Sequence, residues 1–185
     1  GIHFLFDMRS FFPDERVDGN LWPQSKFIYR LIYKYFKDQE IKMFHLADHI
    51  VVLTNAAKAI LSKNFDATKI SVIPCCADFN HFNFKAISKK EIEIARSDLK
   101  LRQGSFVLSY LGSIGTWYKL NEMLAFFQEL KMHKPDSIFL FLTATPKNLI
   151  YNLAKKHGLS QNDIRVKFVK REDLPKYLLV SNLSI

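Results

Sequence analysis

Short apolar runs alternate with longer amphipathic stretches along the whole of this chain. The runs predict strands over 2–6, 49–53, 70–73, 106–111, 138–142 and 164–168, with the start of another at 183–185. Between them the spacing turns helical. Phe27, Ile28, Leu31, Ile32, Tyr35 and Phe36 recur at helical intervals and predict a helix over 25–47. Thr54 is placed to cap a helix over 55–64, its hydroxyl accepting from a first-turn N–H. A polar helix over 88–100 follows, then one over 119–133 with Leu120, Met123, Leu124, Phe127 and Leu130 on one face. Pro146 suits the first turn of a further helix and Gly158 its stop; a short helix over 174–180 completes the series.

Strands separated by helices of this length imply parallel βαβ units, hence an α/β fold with open sheets covered on both faces. Pro74 ends the first set of strands, and 78–87 has no clear period and reads as a linker. The expected organisation is two incomplete Rossmann-like halves, 1–78 and 79–185. No internal repeat is visible.

Composition narrows the class. The 185 residues suit one large domain or parts of two. Hydrophobic residues at 48% and charged residues at 24% are ordinary for a soluble globular protein and argue against disorder. Seventeen Phe residues predict an aromatic-rich interior, each ring needing a packing partner. No apolar run approaches the roughly 18–20 residues that span a bilayer. The first residues have neither the basic region nor the cleavage site of a signal peptide. The chain opens directly in an apolar strand without an initiator Met, which reads as a piece of a longer protein.

Lys and Arg total 27 against 18 acids, a net charge of +9. That excess points to an anionic partner (nucleotide phosphates, acidic lipid headgroups or nucleic acid) or to lysines scattered over solvated faces. The basic clusters at 89–90 and 155–157 are short and not interleaved with aromatics. Cys75 and Cys76 are adjacent, and neighbours cannot close an ordinary disulfide without severe strain. A secreted disulfide scaffold is therefore excluded and a reducing cytoplasm fits. No Cys/His spacing suggests zinc.

Three segments have the makings of a site. In LSYLGSIGTWYK, from Leu108 to Lys119, a strand runs into Gly112 and Gly115 and then into a helix starting near Lys119. Ligands of open α/β sheets bind outside the carboxyl ends of strands. Glycines there admit close approach of the backbone, and a helix N-terminus attracts anions. The pattern is not the dinucleotide fingerprint, and an ordinary βα turn is the competing reading. The second segment, FDMRSFFPDERVDG from Phe6, puts Asp7 at a strand end beside Arg9, Asp14, Glu15 and Arg16. Those charges suit sugar or acceptor contact, or an interlocked ion-pair loop. The third, IPCCADFNHF from Ile73 to Phe82, lies between the two sets of strands.

The third segment resembles the I-P-N-G-V-D-x-x-x-F crossing of group 1 retaining glycosyltransferases of the GT-B architecture. Pro74, Asp78 and Phe82 keep its spacing, with Cys75 and Cys76 where Asn-Gly is more common. ADHIVVLT, from Ala47 to Thr54, resembles the family's A-D-x-V-V-x-x-S strand. YLGSIG with Lys119 resembles its Y-V-G turn and phosphate-binding lysine. LPKYLLVSN, from Leu174, resembles its L-P-x-Y-x-x-x-A-D segment, with Asn182 at the usual Asp. The order and spacing of these motifs cover nearly the whole chain.

The resemblance implies transfer of a sugar from a nucleoside-diphosphate donor to a glycan, lipid or other acceptor, with retention, and without a metal or other cofactor. The half 1–78 would belong to the acceptor-side domain and 79–185 to the donor domain. Gly112, Ser113, Gly115 and Lys119 would hold the donor phosphates, Ser113 standing where many members have Arg. Trp117 and Tyr118 would stack on sugar or base, or simply pack. Asp7 and Arg9 stand near the position where many members place a catalytic His, and Pro74 and Asp78 mark the crossing. The family's paired glutamates lie further along the domain than Ile185, so this stretch by itself is expected to be inactive. The implied setting is the cytoplasm, with peripheral contact at an anionic membrane as an option and no nucleic acid expected. The alternatives are a sugar-nucleotide epimerase of the same architecture, or a non-enzymatic basic α/β module that binds nucleic acid.

Overall fold

Every strand pairing among the described residues is parallel, and the strands fall into two sheets. The computed structural model describes residues 1–115 and 118–185. They divide into two compact units, Gly1–Ala77 and Asp78–Ile185.

In the first unit, β1 (Leu5–Met8), α1 (Phe12–Asp18), α2 (Phe27–Leu46), β2 (His49–Val52), α3 (Asn55–Leu61) and β3 (Ile70–Val72) build a sheet of order β1-β2-β3. The central strand is a continuous apolar run because both of its faces are covered; Ile50, Val51 and Val52 are all buried. Met8, Phe44, Ala47, Leu61 and Ile70 complete the core around Ile50 and Val52. Thr54 caps α3 as expected, accepting from the Ala57 amide at 3.0 Å.

Two features of this unit were not foreseen. α1 has no place among the expected helices, and Pro13 in its first turn with Asp14 and Glu15 behind it form a short helix start. The second concerns α2, whose apolar spacing does not mark its buried side. Phe27, Ile28, Leu31 and Tyr35 are 66%, 57%, 48% and 59% exposed, whereas the buried residues are Glu40 and Phe44. Nor does every Phe find a place inside, since Phe79 and Phe168 are largely exposed.

The second unit holds α4 (Lys89–Asp98), β4 (Val107–Leu111), α5 (Leu120–His133), β5 (Ile138–Leu142), α6 (Lys147–Lys156), β6 (Ile164–Lys167), α7 (Leu174–Leu178) and β7 (Leu183–Ser184). The sheet order is β6-β5-β4-β7. Alternation sorts its side chains between two layers. Leu108, Tyr110, Phe139 and Phe141 point to α5 and α6, meeting Leu124, Phe127, Ile150 and Ala154. Val107, Leu140 and Leu142 point the other way, to Ala95 of α4, Leu99 at its C-cap and Tyr177 of α7. Ser88 and Glu91 form a capping box at the start of α4. The linker expected at 78–87 contains a 3-10 turn, Phe84–Ala86.

β7 is short and depends on Asn182. The Asn182 side-chain oxygen accepts from the Val107 amide at 2.8 Å, and the Asn182 amide donates to the Val107 carbonyl at 2.8 Å. Behind the sheet, the buried Tyr177 donates its hydroxyl to Asp98, which also pairs with Lys167 at 3.0 Å. The Tyr177 bond, with Lys167 in support, holds the Asp98 carboxyl below its ordinary value. Burial, with the bond to Asp98 in support, pushes the Tyr177 phenol up to about 12.

Tyr177→Phe is expected to destabilise this unit by about 1.5–2 kcal/mol near neutrality, the lower part of the range for a hydrogen bond to a charged group. The lower part applies because the Asp98 side chain is 39% exposed and screened. Asp98 is depressed, so its contribution is present above pH ~4 and lost as pH falls through its folded value. Tyr177 is raised, so its contribution is full below pH ~10 and lost as pH rises through about 12. Thermal unfolding of both proteins across pH should therefore show a flat difference at mid pH that narrows below pH ~4.

Candidate functional site

The expected phosphate turn lies at the carboxyl ends of β4, β5 and β6. β4 ends at Leu111, and Gly112 turns the chain out of the sheet while its amide still donates to the Leu142 carbonyl at 3.2 Å. Gly112 has φ +155°, and a Cβ there would stand 2.9 Å from the Tyr110 hydroxyl oxygen. That hydroxyl cannot swing aside freely, because it donates to the Ser113 carbonyl at 2.7 Å. Glycine is required at 112. At 115 it is not, since a Cβ there would meet nothing within 4 Å.

Two threonines that sequence reasoning missed brace the turn. The Ile114 amide donates to Thr145 Oγ1 at 3.1 Å, and the Thr145 amide donates to Thr143 Oγ1 at 3.1 Å. Their signal was a pair of hydroxyl residues just past the end of β5. The Gly112 and Ile114 amides are both engaged within the fold. Lys119 is the N-cap of α5, exposed and in the left-handed region at φ 40° and ψ 46°, with no side-chain cap bond. Its ammonium and the N-terminus of a 14-residue helix act in the same direction on an anion.

A cavity of about 210 Å³ opens beside the turn, lined by Gly112, Ser113, Thr143, Phe168, Val169 and Leu174 among others. Gly112 and Ser113 are thus brought together at it, while Gly115 and Lys119 are not among its lining residues. Tyr118 is 46% exposed and meets the Tyr110 ring edge-on at 6.5 Å. Trp117 lies outside the described residues. Asp78 closes its own turn, accepting from the Asn80 and His81 amides at 3.0 and 3.2 Å. The Pro74 carbonyl accepts from the Cys76 thiol at 3.3 Å.

In the first unit, Asp7 lies at the carboxyl end of β1 as expected, one residue before its last and opposite Val51. The strand is displaced toward the C-terminus because pairing with β2 starts only at Leu5 and His49. Arg9 Nε and Nη2 reach the same Asp7 oxygen at 2.9 and 2.8 Å. Arg9 also lines a cavity of about 570 Å³ with Phe11, Asp14, Asp18, Lys37 and Thr54.

Asp14 pairs with side chains of α2. It accepts from the Tyr33 hydroxyl at 2.8 Å and from Lys37 Nζ at 2.5 Å, and Lys37 also donates to the buried Glu40 at 2.7 Å. Burial pulls Lys37 down, but the bonds to Asp14 and Glu40 outweigh it and leave the ammonium above its usual range. Sequence reasoning missed Tyr33, Lys37 and Glu40, since nothing local distinguishes them from a solvated helix face.

No protein-family model matches the chain, and no curated protein matches it. Among solved structures it is similar to the glycosyltransferase from Rickettsia africae ESF-5, with a TM-score of 0.63 and 18% identity over 74% of this chain and 37% of that one. It is also similar to WaaG, a glycosyltransferase involved in lipopolysaccharide biosynthesis, with a TM-score of 0.69 and 14% identity over 100% of this chain and 50% of that one. The fold is of the GT-B glycosyltransferase type. The chain spans half or less of either structure, and identities this low show the fold alone. The likeness to a UDP-GlcNAc 2-epimerase from Neisseria meningitidis, at a TM-score of 0.48, is too slight to weigh.

Gly112→Ala is expected to cost about 1–3 kcal/mol from strain at this backbone position. The contact with the Tyr110 hydroxyl accounts for part of that cost. Adding Tyr110→Phe should recover that part, and urea unfolding of the two variants beside the parent measures it.

Proposed function

We propose that this chain contributes the central part of a nucleotide-sugar glycosyltransferase, with the donor diphosphate at the turn from Leu111 to Lys119. The observation that carries this is Lys119 itself, exposed at the N-terminus of α5, the helix that follows β4 in the chain. It supplies the electrostatic stabilisation that a departing diphosphate needs. The Gly112 turn and the GT-B fold support the same reading. In it, 1–78 belongs to the acceptor side and 79–185 to the donor side, transfer of a hexosyl group proceeds with retention, and no metal takes part. Ser113 and Gly115 lie along the phosphates, Trp117 and Tyr118 toward the sugar or base, and Asp7 and Arg9 toward the acceptor, a glycan or lipid-linked molecule.

The test is binding of UDP, GDP and ADP to the chain by calorimetry. One of them should bind, and Lys119→Ala should weaken it about tenfold, close to 1.4 kcal/mol. If none binds and duplex or single-stranded nucleic acid binds instead, with log K falling steeply against log salt, the basic-module reading replaces this one.

Peripheral attachment at the inner face of a membrane belongs to the same proposal. The exposed stripe Phe27, Ile28, Leu31 and Tyr35 on α2 is accompanied by Lys26, Arg30, Lys34 and Lys42, a pattern suited to an anionic bilayer surface. No helix among the described residues is long and apolar enough to cross a membrane. The chain should co-sediment with vesicles rich in phosphatidylglycerol and not with neutral ones. Leu31→Glu should abolish that binding without unfolding the chain, because the position is exposed.

A further inference from the structure

The two cysteines have no part in the proposed reaction, and their setting is chemically specific. β3 ends at Val72, the Ile73 amide still bonds to the Val52 carbonyl at 2.8 Å, and Pro74 then leads to Cys75 and Cys76. Both thiols are free and exposed. Ala77 closes the first unit and Asp78 opens the second, so the pair stands in the segment joining the units. Nearby ligating groups are engaged elsewhere. The Asp78 carboxylate caps its own turn, and His81 Nε2 bonds with the Arg171 carbonyl at 2.8 Å. Among the described residues no three His, Cys, Asp or Glu side chains gather to hold a metal. A four-coordinate zinc therefore has no donor set here, and two adjacent sulfurs remain.

We propose that Cys75 and Cys76 form a vicinal dithiol site that chelates a soft, three-coordinate thiophilic centre of the trivalent-arsenic class. Geometry selects that occupant over a disulfide. Direct closure would bring the sulfurs of neighbouring residues to about 2.0 Å and strain the peptide between them. An inserted arsenic atom adds one member to the ring and lets the sulfurs stand further apart, so the strain relaxes. Thiolates are the preferred ligands of soft centres. Pro74, with its fixed φ, narrows the conformations of the segment leading into the pair. With an organoarsenic oxide, two As–S bonds form and the As–O bond breaks. The oxygen leaves as water with the two thiol protons, and neither sulfur nor arsenic changes oxidation state.

Phenylarsine oxide is the probe, offered to the whole chain in the presence of excess glutathione, with intact mass as the readout. These are the chain's only cysteines, so no other thiol contributes. One phenylarsenic group per chain should persist, both thiols should become unreactive to maleimide, and 2,3-dimercaptopropanol should reverse both effects. Cys75→Ser and Cys76→Ser should each reduce retention more than tenfold, because a single thiol competes on equal terms with glutathione. Both positions are exposed, and thermal unfolding checks that each variant folds. Loss of the adduct from the parent in excess glutathione, or its equal retention by either variant, overturns the proposal.

Discussion

A parallel strand leaves its sheet at the end opposite to where its neighbour must enter, so the chain has to travel back across a face of the sheet. In both units that return is made by helices, and almost everything else follows from it. The strands are covered on two sides and become continuous apolar runs. The turns that leave the sheet collect at one end, where the backbone is open and helix N-termini point. Gly112, Thr143 and Phe168 come from three different connections and share one cavity because three parallel strands finish side by side.

How much of this was legible depended on whether a residue's role was local. The strands 49–53 and 138–142 could be read because their centres, Ile50–Val52 and Phe139–Leu142, are buried and carry no polar residue. Thr54 and Gly158 could be read because a cap is a relation between close neighbours. α1 could not, since a helix of seven residues offers too little periodicity, and its start signal sits among charges that also suit a loop. The bounds of β1 were misplaced because the apolar run begins before the ladder does, and the ladder starts only where Leu5 meets His49, far along the chain.

The site divided in the same way. Glycine at 112 and a lysine at the next helix start were visible as a pattern. Two other facts were not: a side chain at 112 would meet the Tyr110 hydroxyl, and one at 115 would meet nothing. Both depend on which side chain occupies the space. The network of Asp14, Tyr33, Lys37 and Glu40 was invisible for a related reason. α2 turns a polar row inward, and that row is tolerable only because its acids and its lysine satisfy one another. Periodicity favours the more apolar side of a helix, and here that side faces outward.

The contact between Gly112 and Tyr110 also bears on how such a chain can vary. Tyr110 is tied through its hydroxyl to the carbonyl of Ser113, and in that pose it occupies the space a side chain at 112 would need. A change at 112 alone meets that hydroxyl as well as the strain of its own backbone, whereas Tyr110→Phe removes the hydroxyl and leaves the ring in the core. Substitutions in this corner therefore have a preferred order. In descendants of this sequence, a change at 112 is expected to cost less where phenylalanine already stands at 110, with the backbone strain remaining in either background.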